Sequence, residues 1–129
     1  MTHKFPVRVY YEDTDLAGIV YYANYLKFIE RGRTEWVRDQ GIDQAALRDE
    51  DGIVFAVRRV EADYLAPAKF DDELVVETTL EQMTGVRMIC RQEVKRAGEV
   101  LFSALVTVVA INENGAPARL PASIRRQLH

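Results

Sequence analysis

A single cysteine, Cys90, among 129 residues leaves no intrachain disulfide to staple the fold. That scarcity points to a reducing compartment or to indifference to redox state. Histidine is nearly as rare, with only His3 and His129, one near each end. A Ser-His-Asp or Cys-His arrangement needs an ordered imidazole beside its nucleophile, and chain ends rarely hold one. There is no Cys/His cluster with zinc spacing, no phosphate-binding glycine loop and no dinucleotide fingerprint. The expectation is chemistry without a metal or other cofactor. No run approaches the roughly 20 apolar residues of a membrane span. The opening MTHKFPVRVYYEDTD lacks the apolar centre of a secretory signal. Basic charge is not in excess either: 17 Lys and Arg against 20 Asp and Glu give a net charge of -3, which argues against a nucleic-acid partner. The expected location is the cytoplasm.

What is present suits one domain spanning residues 1–129. Of the residues, 48% are hydrophobic and 29% charged, enough apolar material for a core. A chain this short buries only about two-thirds of its unfolded surface. A partner subunit is therefore expected to cover some of the rest, in a homodimer or homotetramer.

Hydrophobic spacing supplies the elements. Phe5, Val7 and Val9 alternate on one face and predict a strand over Phe5–Tyr11. A polar loop with the breaker Gly18 follows. Tyr25, Leu26, Ile29, Trp36 and Val37 recur at helical spacing, with Phe28 beside them, so a long helix is predicted over Tyr22–Gln40, stopped by Gly41. Gly32 inside it costs about 1 kcal/mol of helix propensity and signals close packing. A short helix fits residues 43–50. Strands are predicted over Ile53–Leu65, Glu73–Gln82, Val86–Arg96 and Val100–Ile111. The last is almost continuously apolar, which predicts cover on both faces. Short connections imply antiparallel pairing. The result is an α+β fold with one long helix against one curved sheet.

The remaining chemistry belongs to carboxylates. Glu12, Asp13 and Asp15 lie between a strand and the helix, and in extended chain Asp13 and Asp15 would point to one side. The first N–H groups of a helix have no intrahelical partners and can receive a developing oxyanion. A carboxylate beside them could hydrolyse an ester or thioester without histidine. Solvated loop acids, or one acid capping the helix, would account for the same residues.

The run Tyr11-Glu12-Asp13-Thr14-Asp15-Leu16-Ala17-Gly18-Ile19-Val20-Tyr21-Tyr22-Ala23-Asn24-Tyr25, continued by Phe28-Ile29-Glu30-Arg31-Gly32-Arg33-Thr34-Glu35, resembles the signature of the 4-hydroxybenzoyl-CoA thioesterase family. It resembles in particular the Tol–Pal-associated acyl-CoA thioesterase branch. Ala62-Asp63-Tyr64-Leu65-Ala66-Pro67, Asp72-Glu73-Leu74 and the tail Arg119-Leu120-Pro121-Ala122-Ser123-Ile124 match in the same order. The resemblance implies a hot-dog fold, a long central helix wrapped by a five-stranded antiparallel sheet, with subunits paired edge to edge. It implies hydrolysis of an acyl-CoA thioester. Asp15 matches the catalytic aspartate, and the Tyr22 backbone N–H would polarise the thioester carbonyl. Gly18 would allow the tight turn, and Gly18, Ile19, Val20, Tyr21 and Tyr25 are the implied substrate-binding residues. Many members of the branch carry histidine where this sequence has Tyr22, so the resemblance leaves acyl preference and any Tol–Pal role open.

Two other classes share these features. A non-catalytic acyl-CoA-binding module would keep the ligand and lack turnover. A hot-dog dehydratase or hydratase would usually pair a histidine with an acid, and no internal histidine exists. For Arg119, Arg125 and Arg126 the choice lies between a solvated basic tail and contacts to the phosphates of CoA.

Overall fold

The computed structural model describes residues 2–129, so the first residue of the expected 1–129 domain lies outside the described residues. Strand β1 (Thr2–Arg8) leads to a 3₁₀ turn at Tyr11–Asp13 and then to helix α1 (Asn24–Asp39). Helix α2 (Gln44–Asp51) and strands β2 (Val54–Tyr64), β3 (Glu73–Met83), β4 (Arg87–Arg96) and β5 (Glu99–Ile111) follow, and α3 (Ala122–Gln127) closes the order. The five strands form one sheet in the order β1-β3-β4-β5-β2, each neighbouring pair antiparallel.

Helix α1 lies across β1, β3 and β4. Its buried residues are Tyr25, Phe28, Ile29, Gly32, Trp36 and Val37, a stripe at spacings of three and four that faces the sheet. Leu26, expected in that stripe, is instead 40% exposed on the neighbouring face. The close approach expected at Gly32 is found: a Cβ there would sit 2.5 Å from Val76 Cγ1. Next to it Gln92, buried on β4, donates from Nε2 to the Ile29 carbonyl of α1 at 2.8 Å and to Thr78 Oγ1 of β3 at 2.9 Å. Burying an amide is tolerable because it is bonded on both sides. Helix α2 is capped at its start by Asp43, whose side chain accepts from the Ala46 N–H at 3.0 Å, and at its end by Gly52 in the left-handed region.

Three expectations need correction. Strand β1 ends at Arg8, because the Asp13 carboxylate accepts from the Tyr10 N–H at 2.8 Å and curls the following residues into the 3₁₀ turn. Strand β5 is not covered on both faces: Leu101, Phe102, Ala104, Val106, Val108 and Ala110 are buried, while the intervening residues from Ser103 to Ile111 are half-buried. His3 is not frayed: it lies in β1 and its Nε2 donates to Asp39 Oδ2 at 2.8 Å. Its Nδ1 is the one buried side-chain nitrogen or oxygen without a partner among the described residues.

Strand β2 is an edge, and it carries exposed Val54, Val57, Val60 and Tyr64. The chain's accessible surface is 7595 Å². A compact monomer of 14.7 kDa would expose roughly 6,900 Å². No described helix is long and apolar enough to cross a membrane.

Candidate active site

The segment after the 3₁₀ turn doubles back on itself. Tyr21 N–H donates to the Asp13 carbonyl at 2.9 Å, Asp15 N–H donates to the Ile19 carbonyl at 2.9 Å, and Thr14 bridges Val20 between them. Gly18 closes the turn with φ +81° and donates its N–H to the Asp15 carbonyl at 3.0 Å. An L-residue with a side chain rarely adopts that φ. The returning strand is tied to the rest of the fold by Val20 N–H to the Ala68 carbonyl at 2.8 Å and by the Ile19–Lys69 bridge. The loop is therefore hydrogen-bonded at both ends although it lies at the surface.

Asp13 and Asp15 do different things in it. The Asp13 carboxylate is engaged by Tyr10, and the Asp13 carbonyl accepts from Asn24 Nδ2 at 2.9 Å. Asp15 is exposed, and its Oδ1 accepts from the Ala17 N–H at 2.9 Å. Its Oδ2 meets no donor among the described residues. The 3₁₀ turn intervenes, so the expected parallel orientation of the two side chains does not arise.

The helix begins two residues after Tyr22. Its N-cap is Ala23, and no side chain caps it, so neither loop acid serves that purpose. Asn24 N–H donates to the Tyr21 carbonyl at 2.8 Å, while the Tyr22 and Ala23 N–H groups meet no acceptor among the described residues. Such groups favour negative charge. Sequence periodicity predicts the helix start at Tyr22 itself. The structure leaves Tyr22 just outside, in the turn that leads into it.

Aromatic rings frame this end. Tyr21 and Tyr22 are exposed, with ring centroids 4.9 Å apart. Tyr64 of β2 approaches Tyr22 edge-on at 6.1 Å, and its hydroxyl donates to the Tyr22 carbonyl at 3.0 Å. Tyr25 belongs to the core: it stacks on Phe102 at 5.1 Å and its hydroxyl accepts from the Ala68 N–H at 3.0 Å. Burial pushes the Tyr25 and Tyr64 phenols up from their ordinary range. Of the sequence-expected set, Asp15, Gly18, Tyr21 and Tyr22 are exposed, Ile19 is half-buried, and Val20 and Tyr25 are buried. Sequence reasoning misses Tyr64, since nothing local ties a strand residue to a turn forty-two positions earlier.

Below the loop, Asp72 Oδ2 accepts from the Lys69 N–H and from Arg96 Nη1, each at 2.8 Å. Burial raises the Asp72 carboxyl, but the Lys69 N–H and the Arg96 guanidinium together outweigh it and hold the group below its ordinary value. The basic tail lies elsewhere. Arg125 and Arg126 line an open cleft with Met83 and Thr84, at the end of β3 remote from Asp15. No group of three or more His, Cys, Asp or Glu side chains suited to a metal ion occurs among the described residues.

Comparison with known proteins adds a consistent picture. The thioesterase-like superfamily profile matches residues 9–128. The acyl-CoA thioesterase YbgC of Haemophilus influenzae is 39% identical over 127 residues, covering 98% of this chain and 93% of that protein. The acyl-CoA thioester hydrolase YbgC of Escherichia coli is 42% identical over 123 residues, covering 94% and 91%. A probable thioesterase from Bartonella henselae superposes with a TM-score of 0.90 at 39% identity, covering 94% of this chain and all of that one. A 4-hydroxybenzoyl CoA thioesterase complexed with 4-hydroxybenzoyl CoA superposes at 0.92 with 22% identity, covering 99% of each chain, a likeness of fold alone.

Proposed function

This chain belongs to the thioesterase-like superfamily, and from that premise we propose that it hydrolyses acyl-CoA thioesters to free acid and CoA, with Asp15 as the catalytic carboxylate. The observation that carries the reading is the pairing of an exposed carboxylate, one oxygen free, with an uncapped helix start in one hydrogen-bonded loop. The thioester carbonyl oxygen lies at the Tyr22 N–H, which stabilises the charge that develops there. Asp15 either attacks the carbonyl carbon, giving a mixed anhydride that water then cleaves, or takes a proton from an attacking water. In both routes CoA leaves as a thiolate, which needs little acid assistance because a thiol's pKa is near 8.5. Tyr21 and Tyr22, with the Gly18–Val20 turn beneath them, border the acyl group, while Tyr25 supports them from the core.

The whole chain acts as one domain. It works as a homodimer joined through β2, or as a tetramer of such pairs. Support comes from the exposed apolar edge of β2 and from the open position of Asp15 and Tyr22, which a second copy would enclose. The cytoplasm is the location we assign, resting on the lone cysteine.

The test is incubation with aromatic, short-chain and long-chain acyl-CoA in the presence of a thiol-detecting dye. Release of CoA at a rate unaffected by a chelator is the expected result. Tight acyl-CoA binding with no thiol released would favour a binding module instead.

A further inference from the structure

Helix α1 presents a second face beside its core stripe. Leu26, Glu30, Arg33 and Val37 recur on it at spacings of three and four, with Thr34 alongside. The face starts beside Tyr22 and looks across to β2, whose Tyr64 reaches Tyr22 at the other end of the strand from Phe55. About 14 Å of helix separate Asn24 from Arg33 at 1.5 Å per residue. Here α1 and the sheet leave a cleft of about 200 Å³, walled by Glu30, Arg33, Thr34 and Val37 on the helix and by Phe55, Val57, Met88 and Val108 on the strands.

Arg33 is the unusual member. Its Nη1 donates to Gln92 Oε1 at 2.8 Å, and no carboxylate lies within ion-pair distance among the described residues. Burial pulls the guanidinium down from its ordinary range, and the more distant Cys90 and Glu30 oppose that only in part. Its other nitrogens are not fully buried, since His3 Nδ1 is the only buried polar side-chain atom without a partner among the described residues. Arg33 lines the cleft, its Nε and Nη2 groups have no hydrogen-bond partner among the described residues, and the cation carries no counter-charge in contact. A guanidinium so placed is matched by a carboxylate, which accepts two parallel N–H bonds. Glu30 is exposed and accepts from Thr34 Oγ1 at 2.9 Å, so its own charge is turned along the helix and toward solvent.

We propose that this cleft receives the end of the acyl group remote from the thioester, and that Arg33 selects acyl groups ending in a carboxylate. This deepens the thioesterase reading and rests on it. The apolar walls formed by Phe55, Val57, Met88 and Val108 hold the carbon chain, and the guanidinium holds its charged end. Glu30 opposes the same anion weakly from the rim.

The experiment compares α,ω-dicarboxylyl-CoA with monocarboxylyl-CoA of matched length, one short pair and one long, on the wild-type protein. The expected result is a higher kcat/KM for the dicarboxylyl member of the long pair, whose chain can span the helix from Tyr22 to Arg33, and no such preference in the short pair. Arg33→Met is expected to reduce that preference about tenfold to a hundredfold, the range of a charge-assisted bond. Monocarboxylyl hydrolysis is the reference for this ratio, because losing the bond to Gln92 lowers turnover of both substrates alike. Glu30→Gln is expected to raise the preference. Val57→Phe, which narrows the cleft from the strand side and leaves Arg33 in place, should lower it and guards against a folding defect in Arg33→Met. Equal hydrolysis of both members of the long pair in the wild type would overturn the inference while leaving the thioesterase reading intact. So would an Arg33→Met protein that keeps the preference but dissociates into monomers, which would make Arg33 an interface residue. Failure to hydrolyse any acyl-CoA would count against the thioesterase reading itself.

Discussion

The Tyr64 hydroxyl donates to the Tyr22 carbonyl oxygen at 3.0 Å, so a residue of the edge strand β2 holds the turn that leads into α1. The carbonyl belongs to the peptide that follows the Tyr22 N–H, so the bond restrains the orientation of the donor proposed to meet the thioester. Tyr64→Phe keeps the ring against Tyr25 and Phe102 and removes only the donor. The expected outcome is a several-fold fall in kcat with KM nearly unchanged, and a stability loss of about 1 kcal/mol. Steady-state kinetics and thermal unfolding on one preparation check both.

Asp15 and Asp13 are separated by what their oxygens already do. Asp15→Asn should lower kcat by about 10²–10⁴-fold, the range of general-base catalysis, with acyl-CoA binding retained. Asp13→Asn keeps an oxygen for the Tyr10 N–H and should cost far less. Kinetics on folded oligomer distinguish the two. Wild-type turnover in Asp15→Asn would place the chemistry elsewhere.

Gly32→Ala sets two opposite effects against each other. Helix propensity favours alanine by about 1 kcal/mol. The new Cβ would meet Val76 Cγ1 at 2.5 Å, and overpacking of this kind costs about 1–3 kcal/mol. Val76 is wholly buried and cannot swing aside, so the second effect should win and the melting temperature should fall. A rise would show that α1 can lift from β3 without loss.

Asp72 predicts an acid-side dependence of stability. Its folded-state pKa lies below the ordinary 3.8, so its contribution is present above that value. It is lost as the pH falls below it. Asp72→Asn should be less stable than wild type at neutral pH, and the gap should close in acid. Denaturant unfolding between neutral pH and about pH 2, the low end of such shifts, would measure this.

Cys90 should be inert while the protein is folded. It has no exposed surface, and burial pushes its thiol up to about 11, with Arg33 only partly offsetting this. A thiol reagent at pH near 8, below even the ordinary cysteine value, should label the native protein only at the rate of unfolding. Rapid stoichiometric labelling would contradict the burial.

The core stripe of α1 was legible in the sequence because amphipathic spacing is a local property. The strands after it were found to within a residue or two for the same reason. Leu26 was misplaced because one apolar residue at a shared edge of two faces can belong to either. The 3₁₀ turn at Tyr11–Asp13 was missed since Asp13 makes it by bonding backwards to Tyr10, which alternation of hydrophobics does not reveal. Strand β5 was read as covered on both sides because its apolar residues do not say which neighbours reach them. The position of Asp15 in a turn was legible from Gly18, but not the uncapped start of α1, which depends on where the helix begins. Arg33, Gln92 and Thr78 come together only through pairing of distant segments.

Gln92 touches α1 through the Ile29 carbonyl, β3 through Thr78 and the cleft through Arg33. The same amide therefore fixes the angular setting of the helix and the aim of the cleft cation. A change that redirected Arg33 would disturb the docking of α1, and with it the loop that carries Asp15. Phe55 and Val57 on the opposite wall carry no such double duty. New acyl preferences in this scaffold are thus more accessible through the strand side of the cleft, with the helix side acting as its fixed reference surface.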